Sequence, residues 1–198
     1  MRIGILGGTF DPPHIGHLAL ATAAIEQLGL EEVIFMPTFR NPIKGRKVTT
    51  KPKDRLAMVE ALVKGSADPH FAMSDLEVTR EGPSYTVDTM AELQMVRPAE
   101  YWFLMGADSL RSLPEWKQPT RLVRLCRLGV VVRPPTTEIE VRSRIPEDLR
   151  DHVDVIQMKP VDISSTEIRE RVSRKQNVGS WVPVEVLRYI STHKLYQE

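Results

Sequence analysis

The 198-residue sequence has one cysteine and almost no net charge, with 27 basic against 26 acidic side chains. A lone cysteine excludes an internal disulfide framework and a cysteine-based metal site within the chain. With Leu125 and Leu128 close by, Cys126 reads as a buried thiol. A net charge of +1 removes the electrostatic case for nucleic acid or an anionic membrane as partner, although a local basic pocket remains compatible with it. No apolar run approaches the roughly 20 residues that cross a bilayer. Gly7-Gly8 and Asp11 interrupt the first apolar residues, so no signal-peptide core is expected and a cytoplasmic protein is the expectation. Repeats and low-complexity tracts are also missing. So are two catalytic signatures: no HExxH occurs, and Gly4, Gly7 and Gly8 do not have the spacing of the dehydrogenase fingerprint GxGxxG.

What remains is a chain with 41% apolar residues, enough for one well-filled core, and a single domain over residues 1–198 is expected. Short apolar runs alternate with amphipathic segments. Strands are expected at Arg2–Leu6, Val33–Met36, Phe71–Met73, Tyr101–Met105, Leu128–Val132 and Val153–Met158. Helices are expected from Leu18 to Leu28 with Gly29 as cap, from Pro52 to Lys64 with Gly65 after it, and from Ser84 to about Val96. Two more are expected at Ser164–Arg174 and Pro183–Thr192, and a helix with loops within Thr136–Arg150. Such alternation predicts an α/β fold, a doubly wound parallel sheet wrapped by helices. Ligands in that fold bind beyond the carboxyl ends of the strands, where the strand order reverses.

The most informative segment is Gly7-Gly8-Thr9-Phe10-Asp11-Pro12-Pro13-His14-Ile15-Gly16-His17. Two glycines directly after a strand allow a sharp turn close to a ligand. His14 and His17, three apart at a helix start, share one face, and Gly16 between them removes a side chain where a nucleotide could approach. Open N–H groups and the positive end of the helix dipole would favour a phosphate there. Against this stands a plain tight turn with a surface histidine. A zinc site would need at least one more ligand, and no HExxH pattern or nearby cysteine supplies it.

Ile163-Ser164-Ser165-Thr166-Glu167-Ile168-Arg169 opens a late helix. Ser164 with Glu167 fits a capping box, which leaves Ser165, Thr166 and Arg169 to suit a polyphosphate. Asp108, in Gly106-Ala107-Asp108-Ser109, is placed either to accept from a ribose diol or to cap a helix. Gly82-Pro83-Ser84-Tyr85-Thr86 is by itself a turn and helix start, and Trp116 by itself a core or rim aromatic. Lys44, Arg46 and Lys47 lie in a loop that reads either as solvated charge or as anion contacts, and Arg133 ends the Leu128–Val132 run before two prolines.

Together these segments resemble the HxGH nucleotidyltransferase superfamily. GGTFDP followed by HxGH is similar to the bacterial nicotinate-nucleotide adenylyltransferases, from residue 3 to about residue 190. The resemblance implies that His14 and His17 contact ATP phosphates, with His17 stabilising charge at the α-phosphate. Lys44 and Arg169 join them as catalytic residues. Gly8, Thr9, Phe10 and Gly16 are placed on the ATP side, with Gly106 and Asp108 from the GxDS-like segment on the adenosine half. Ser165, Thr166 and Arg169, in the SSTxIR-like segment, are placed on the β- and γ-phosphates. Asp11, Lys44 and Arg133 fall to the mononucleotide substrate. Tyr85 and Thr86 of the PSYT-like segment are placed on its carboxylate, and Trp116 on its pyridine ring. The helices from about residue 164 to 198 would complete the ATP site.

The loop departs from the commonest pattern, since Asn41-Pro42-Ile43-Lys44 stands where many members carry Pro-Pro-His-Lys. The implied reaction is adenylyl transfer from ATP to nicotinate mononucleotide, with Mg²⁺ held mainly by the ATP phosphates. Partners are then small molecules, without nucleic acid or membrane, and a homo-oligomer is compatible with this reading. A phosphopantetheine adenylyltransferase is the nearest rival, disfavoured by His14 and by the PSYT and GADS segments. A nucleotide-sensing protein on the same fold is the rival of another class.

Overall fold

The computed structural model describes residues 1–42, 50–132, 137–145 and 147–197. Six strands form one sheet: β1 (Arg2–Gly8), β2 (Glu32–Pro37), β3 (Phe71–Met73), β4 (Glu100–Gly106), β5 (Arg127–Val132) and β6 (Val153–Gln157). Their order is β3-β2-β1-β4-β5-β6 and every pairing is parallel. Each apolar run expected as a strand is one. The helices are α1 (Ile15–Leu28), α2 (Pro52–Ser66), α3 (Leu76–Arg80), α4 (Thr86–Val96) and α5 (Ala107–Leu110), then α6 (Pro119–Leu125), α7 (Glu138–Arg144), α8 (Ser165–Ser173) and α9 (Val184–Thr192).

The strands read as continuous apolar runs because both sheet faces are covered. Successive side chains alternate between two cores. Ile3, Ile5, Tyr101, Phe103, Leu128 and Val130 pack with Val87, Met90 and Leu93 of α4. Leu6, Phe35, Leu104, Val131 and Ile156 pack on the other side with Ala21 and Ala24 of α1, Met58 and Leu62 of α2, and Val186 and Ile190 of α9. Full burial of one such side chain is worth roughly 1.5–3 kcal/mol. Cys126 lies in the first core at 6% exposure, and burial pushes its thiol up to about 12. It is inert at neutral pH.

Two helix ends repay attention. Gly29 ends α1 in the left-handed region at φ 59°, as expected. Gly65 does not end α2, which continues to Ser66 and is capped by Ala67 at φ 52°. Gly65 instead faces the Glu185 side chain of α9, whose Oε2 an added Cβ would approach to 2.5 Å. The short helices α3 and α6 were not expected; five and seven residues give a helical period too little room to register. No helix among the described residues is long and apolar enough to cross a membrane.

The strand order reverses between β1 and β4. The chain leaves β1 toward α1 and leaves β4 toward α5, which opens a crevice at the carboxyl ends of these two central strands.

Candidate active site

The first loop runs from β1 into α1, and the two histidines close its far end as a cap. His14 is the N-cap, with its Nδ1 accepting from the Gly16 N–H at 3.2 Å, while its own N–H donates to His17 Nδ1 at 3.1 Å. This is a capping box made by two imidazoles. A ring nitrogen that accepts carries no proton, so each neutral ring bears its N–H on Nε2. The rings lie 3.9 Å apart between centroids. Gly16 has a reason the sequence did not show: an added Cβ would meet the His14 ring at 3.0 Å.

The expectation of open N–H groups at the start of α1 is overturned. Ile15 N–H donates to Trp181 O at 3.0 Å, Gly16 to the His14 ring, and His17 to His14 O at 2.9 Å. Any anion held here meets imidazole donors and the helix dipole rather than the backbone. The start of α8 differs. Ser164 Oγ accepts from the Glu167 N–H at 3.1 Å, but the N–H groups of Ser165 and Thr166 are committed to no described residue. The capping box expected at Ser164 is only half made, because the Glu167 carboxylate turns to Arg171 instead.

Helix α8 is tied to the first loop by side chains. Ser165 Oγ donates to Pro12 O at 2.9 Å, and Arg169 Nη1 donates to Asp11 O at 2.7 Å. Arg169 Nη2 reaches Thr166 Oγ1 at 3.3 Å. Phe10 is 2% exposed with φ 52°, and its ring packs 4.9 Å from His17 and 6.2 Å from Phe35. Only its backbone can face a ligand. Thr9 Oγ1 is buried without a hydrogen-bond partner among the described residues. Past β4, a Cβ on Gly106 would meet open space. Gly106, not Asp108, is the N-cap of α5, which removes the capping reading of Asp108. The carboxylate is exposed and makes no hydrogen bond or ion pair with a described residue.

At the other end, Ser84 Oγ accepts from the Phe39 N–H at 3.0 Å and fixes the turn into α4. Tyr85 is the N-cap of α4 and Thr86 its first residue. Trp116 stands edge-on to Phe103 at 5.7 Å and donates from Nε1 to Ser112 Oγ at 3.1 Å. Lys117, which drew no notice in the sequence, lies over the Tyr85 ring at 4.7 Å and pairs with Asp88 at 2.7 Å.

The first loop from Gly7 to Asp11, His14, Gly16 and His17, the Ser84–Thr86 turn, Gly106–Ser109, Trp116 and Lys117, and Ser164–Thr166 with Arg169 line one cleft of about 1320 Å³ at the β1–β4 switch point. Pockets for a single small ligand hold roughly 300–1,000 Å³, so this one has room for two. Lys44 and Arg133 lie outside the described residues, and their places in the cleft are not described. Among the described residues no group of three His, Cys, Asp or Glu side chains could hold a metal ion.

A cytidylyltransferase-like family model matches residues 5–171. The chain is 43% identical to a protein of Exiguobacterium sibiricum named "Probable nicotinate-nucleotide adenylyltransferase", over 99% of each chain. It is 40% identical to one of the same name from Dehalococcoides mccartyi, over 99% of this chain and 97% of that one. The chain belongs to the nicotinate-nucleotide adenylyltransferases. It is thus a nucleotidyltransferase, and its fold agrees with a solved relative. The nicotinic acid mononucleotide adenylyltransferase of Plasmodium falciparum, complexed with NaAD, superposes with a TM-score of 0.79 at 20% identity over 98% of this chain and 97% of that chain.

Besides Lys117, three side chains around the adenylyltransferase cleft escaped the sequence reading. Arg55 is 1% exposed and donates to Thr9 O at 2.8 Å and Phe39 O at 2.9 Å. Tyr196 donates to Asp11 Oδ1 at 2.7 Å. Glu77, 5% exposed, accepts from Thr89 Oγ1 at 2.7 Å, while its Oε2 has no partner among the described residues. Burial lifts the Glu77 carboxyl above the ordinary range, with the Thr89 and Ser84 hydroxyls and Arg80 pulling the other way. The folded chain therefore holds this proton more tightly than the unfolded one. Its contribution to stability is complete below about pH 4.3, the unfolded value, and is lost as pH rises through the folded value. Glu77→Gln removes that slope. In urea melts the variant should gain on the parent as pH rises from about 4 to 8, by about 1.4 kcal/mol for each unit separating the two values. A difference that stays constant over that range would refute the assignment.

Proposed function

We propose that the chain transfers the adenylyl group of ATP to nicotinate mononucleotide, giving nicotinate adenine dinucleotide and pyrophosphate by direct in-line displacement. The observation that carries this reading is the imidazole pair at the start of α1. Both Nε2–H tautomers are set by the helix cap, within a cleft large enough for two nucleotides. The attacking group is the mononucleotide phosphate, already ionised, so no general base is needed. The protein aligns two anions and meets the charge that builds at the α-phosphate. His17, assisted by His14, donates to the α-phosphate oxygens. Ser165, Thr166 and Arg169, with the open N–H groups of α8, take the β- and γ-phosphates, and the N-terminal end of the α8 dipole favours the same charge. Gly106 and Asp108 serve the adenosine, with Gly8, Thr9, Phe10 and Gly16 lining its phosphate side.

Ser84–Thr86 and Trp116 receive the pyridine ring and its carboxylate, and Lys44 and Arg133 are assigned to the substrate phosphates. Asp11 acts on the substrates through the loop that it anchors. The donors facing the cleft, imidazoles, hydroxyls and a guanidinium, suit anions rather than a bare cation. Mg²⁺ accordingly enters with ATP, held by triphosphate oxygens and water.

Pyrophosphate release from ATP and Mg²⁺ tests the reading, with nicotinate mononucleotide, nicotinamide mononucleotide and phosphopantetheine compared as acceptors. The nicotinate nucleotide should give the highest kcat/KM. Release with none of the three ends the transfer reading, and a preference for phosphopantetheine reassigns the acceptor.

A further inference from the structure

Tyr196 lies in the turn after α9, far in sequence from the glycine loop, yet its hydroxyl donates to Asp11 Oδ1 at 2.7 Å. Two residues of that turn, Lys194 and Tyr196, have φ of 51° and 62°. Residues with a Cβ keep such values only where surrounding contacts insist on them. The Thr50 hydroxyl donates to the same Asp11 oxygen. Asp11 is 3% exposed, and Arg169 stands 4.0 Å from its other oxygen, Oδ2. The firm contact of that guanidinium is instead with the neutral Asp11 backbone carbonyl at 2.7 Å.

A carboxylate beside a polyphosphate site competes for the guanidinium that the polyphosphate requires. Hydroxyl donors on Oδ1 hold the Asp11 carboxylate turned, with Arg169 at the long limit of an ion pair. We propose that Tyr196 is a positioning residue for the polyphosphate end of the cleft: by holding Asp11, it keeps Arg169 from closing onto the carboxylate and leaves it to the β- and γ-phosphates. The proposal rests on the adenylyl-transfer reading above. Burial, and next the Asp11 charge, raise the pKa of the Tyr196 hydroxyl, so it remains a donor throughout the neutral range.

The test uses Tyr196→Phe, which keeps the ring, together with Asp11→Asn and the double variant. Steady-state kinetics on both substrates is combined with calorimetric binding of ATP alone. Tyr196→Phe should raise KM and Kd for ATP about 5–10-fold, part of the worth of a hydrogen bond to a charged group. KM for nicotinate mononucleotide and kcat should stay within about twofold. In the Asp11→Asn background, Tyr196→Phe should no longer move ATP affinity, since the competing charge is gone. A merely structural hydroxyl would lower Tm and kcat and leave ATP affinity alone, which overturns the proposal. Equal losses of ATP affinity in both backgrounds overturn it too. A wild-type chain that binds ATP but releases no pyrophosphate fails the transfer reading only, and the calorimetric arm still decides Tyr196. One that does not bind ATP overturns both.

Discussion

His17→Ala is expected to lower kcat by about 10²–10³, the loss that follows removal of one preorganised donor from a developing oxyanion, roughly 2.7–4 kcal/mol. His17 Nδ1 is engaged by the His14 N–H, so its other nitrogen, Nε2, is the one that can serve the α-phosphate. An interaction made only in the transition state lowers kcat and kcat/KM together and leaves KM little changed. The alanine also deletes half of the helix cap, which costs about 0.5–2 kcal/mol of stability. His17→Gln separates the two effects, because glutamine at the third helical position can reach back to the N-cap N–H. Its Tm should return toward wild type while kcat remains well below it. Should the alanine raise KM for ATP and spare kcat, His17 holds the ground state and its assignment to the α-phosphate charge is wrong.

Legibility from sequence followed the range of the contact. The strands were legible because each is an apolar run bounded by turn residues, and burial on both faces leaves no alternation to misread. The first loop was legible because His14, Gly16 and His17 act within four residues of one another. Even there, commitment of the Ile15 N–H to Trp181 O was hidden, since nothing local announces a carbonyl arriving from another element. Tyr196 reaches an aspartate 185 positions away, and Arg55 a carbonyl 46 positions away. Both sit in segments whose patterns are satisfied without them. Arg55 lies on the buried side of α2 with Met58, Val59 and Leu62; a polar residue there reads as an interruption of the apolar face.

Arg55→Met should then be the most destabilising single change around the cleft, by about 3–5 kcal/mol, since it loses two hydrogen bonds from a charged donor, each worth about 1.5–3 kcal/mol. Methionine keeps most of the volume, so the loss is electrostatic rather than a cavity. The guanidinium bridges two loops, since it binds Thr9 O at the end of β1 and Phe39 O just after β2. Removing it leaves both half-buried carbonyls short of a donor. Burial lowers the Arg55 pKa, and the nearby Asp11 charge opposes that shift; an arginine still remains charged. Asp11, at 3% exposure, would lose its buried counter-charge on the α2 side and keep Arg169 at 4.0 Å. Arg169 would then be drawn toward the carboxylate, the movement that the Tyr196 hydroxyl opposes. For a chain of this length, 3–5 kcal/mol corresponds to a Tm lower by roughly 6–20 °C. ATP affinity should fall with it, even at temperatures where the variant is folded. A melt within about 2 °C of wild type, about 1 kcal/mol or less, would mean that Thr9 and Phe39 find other donors and that Arg55 is not the tie between the two loops.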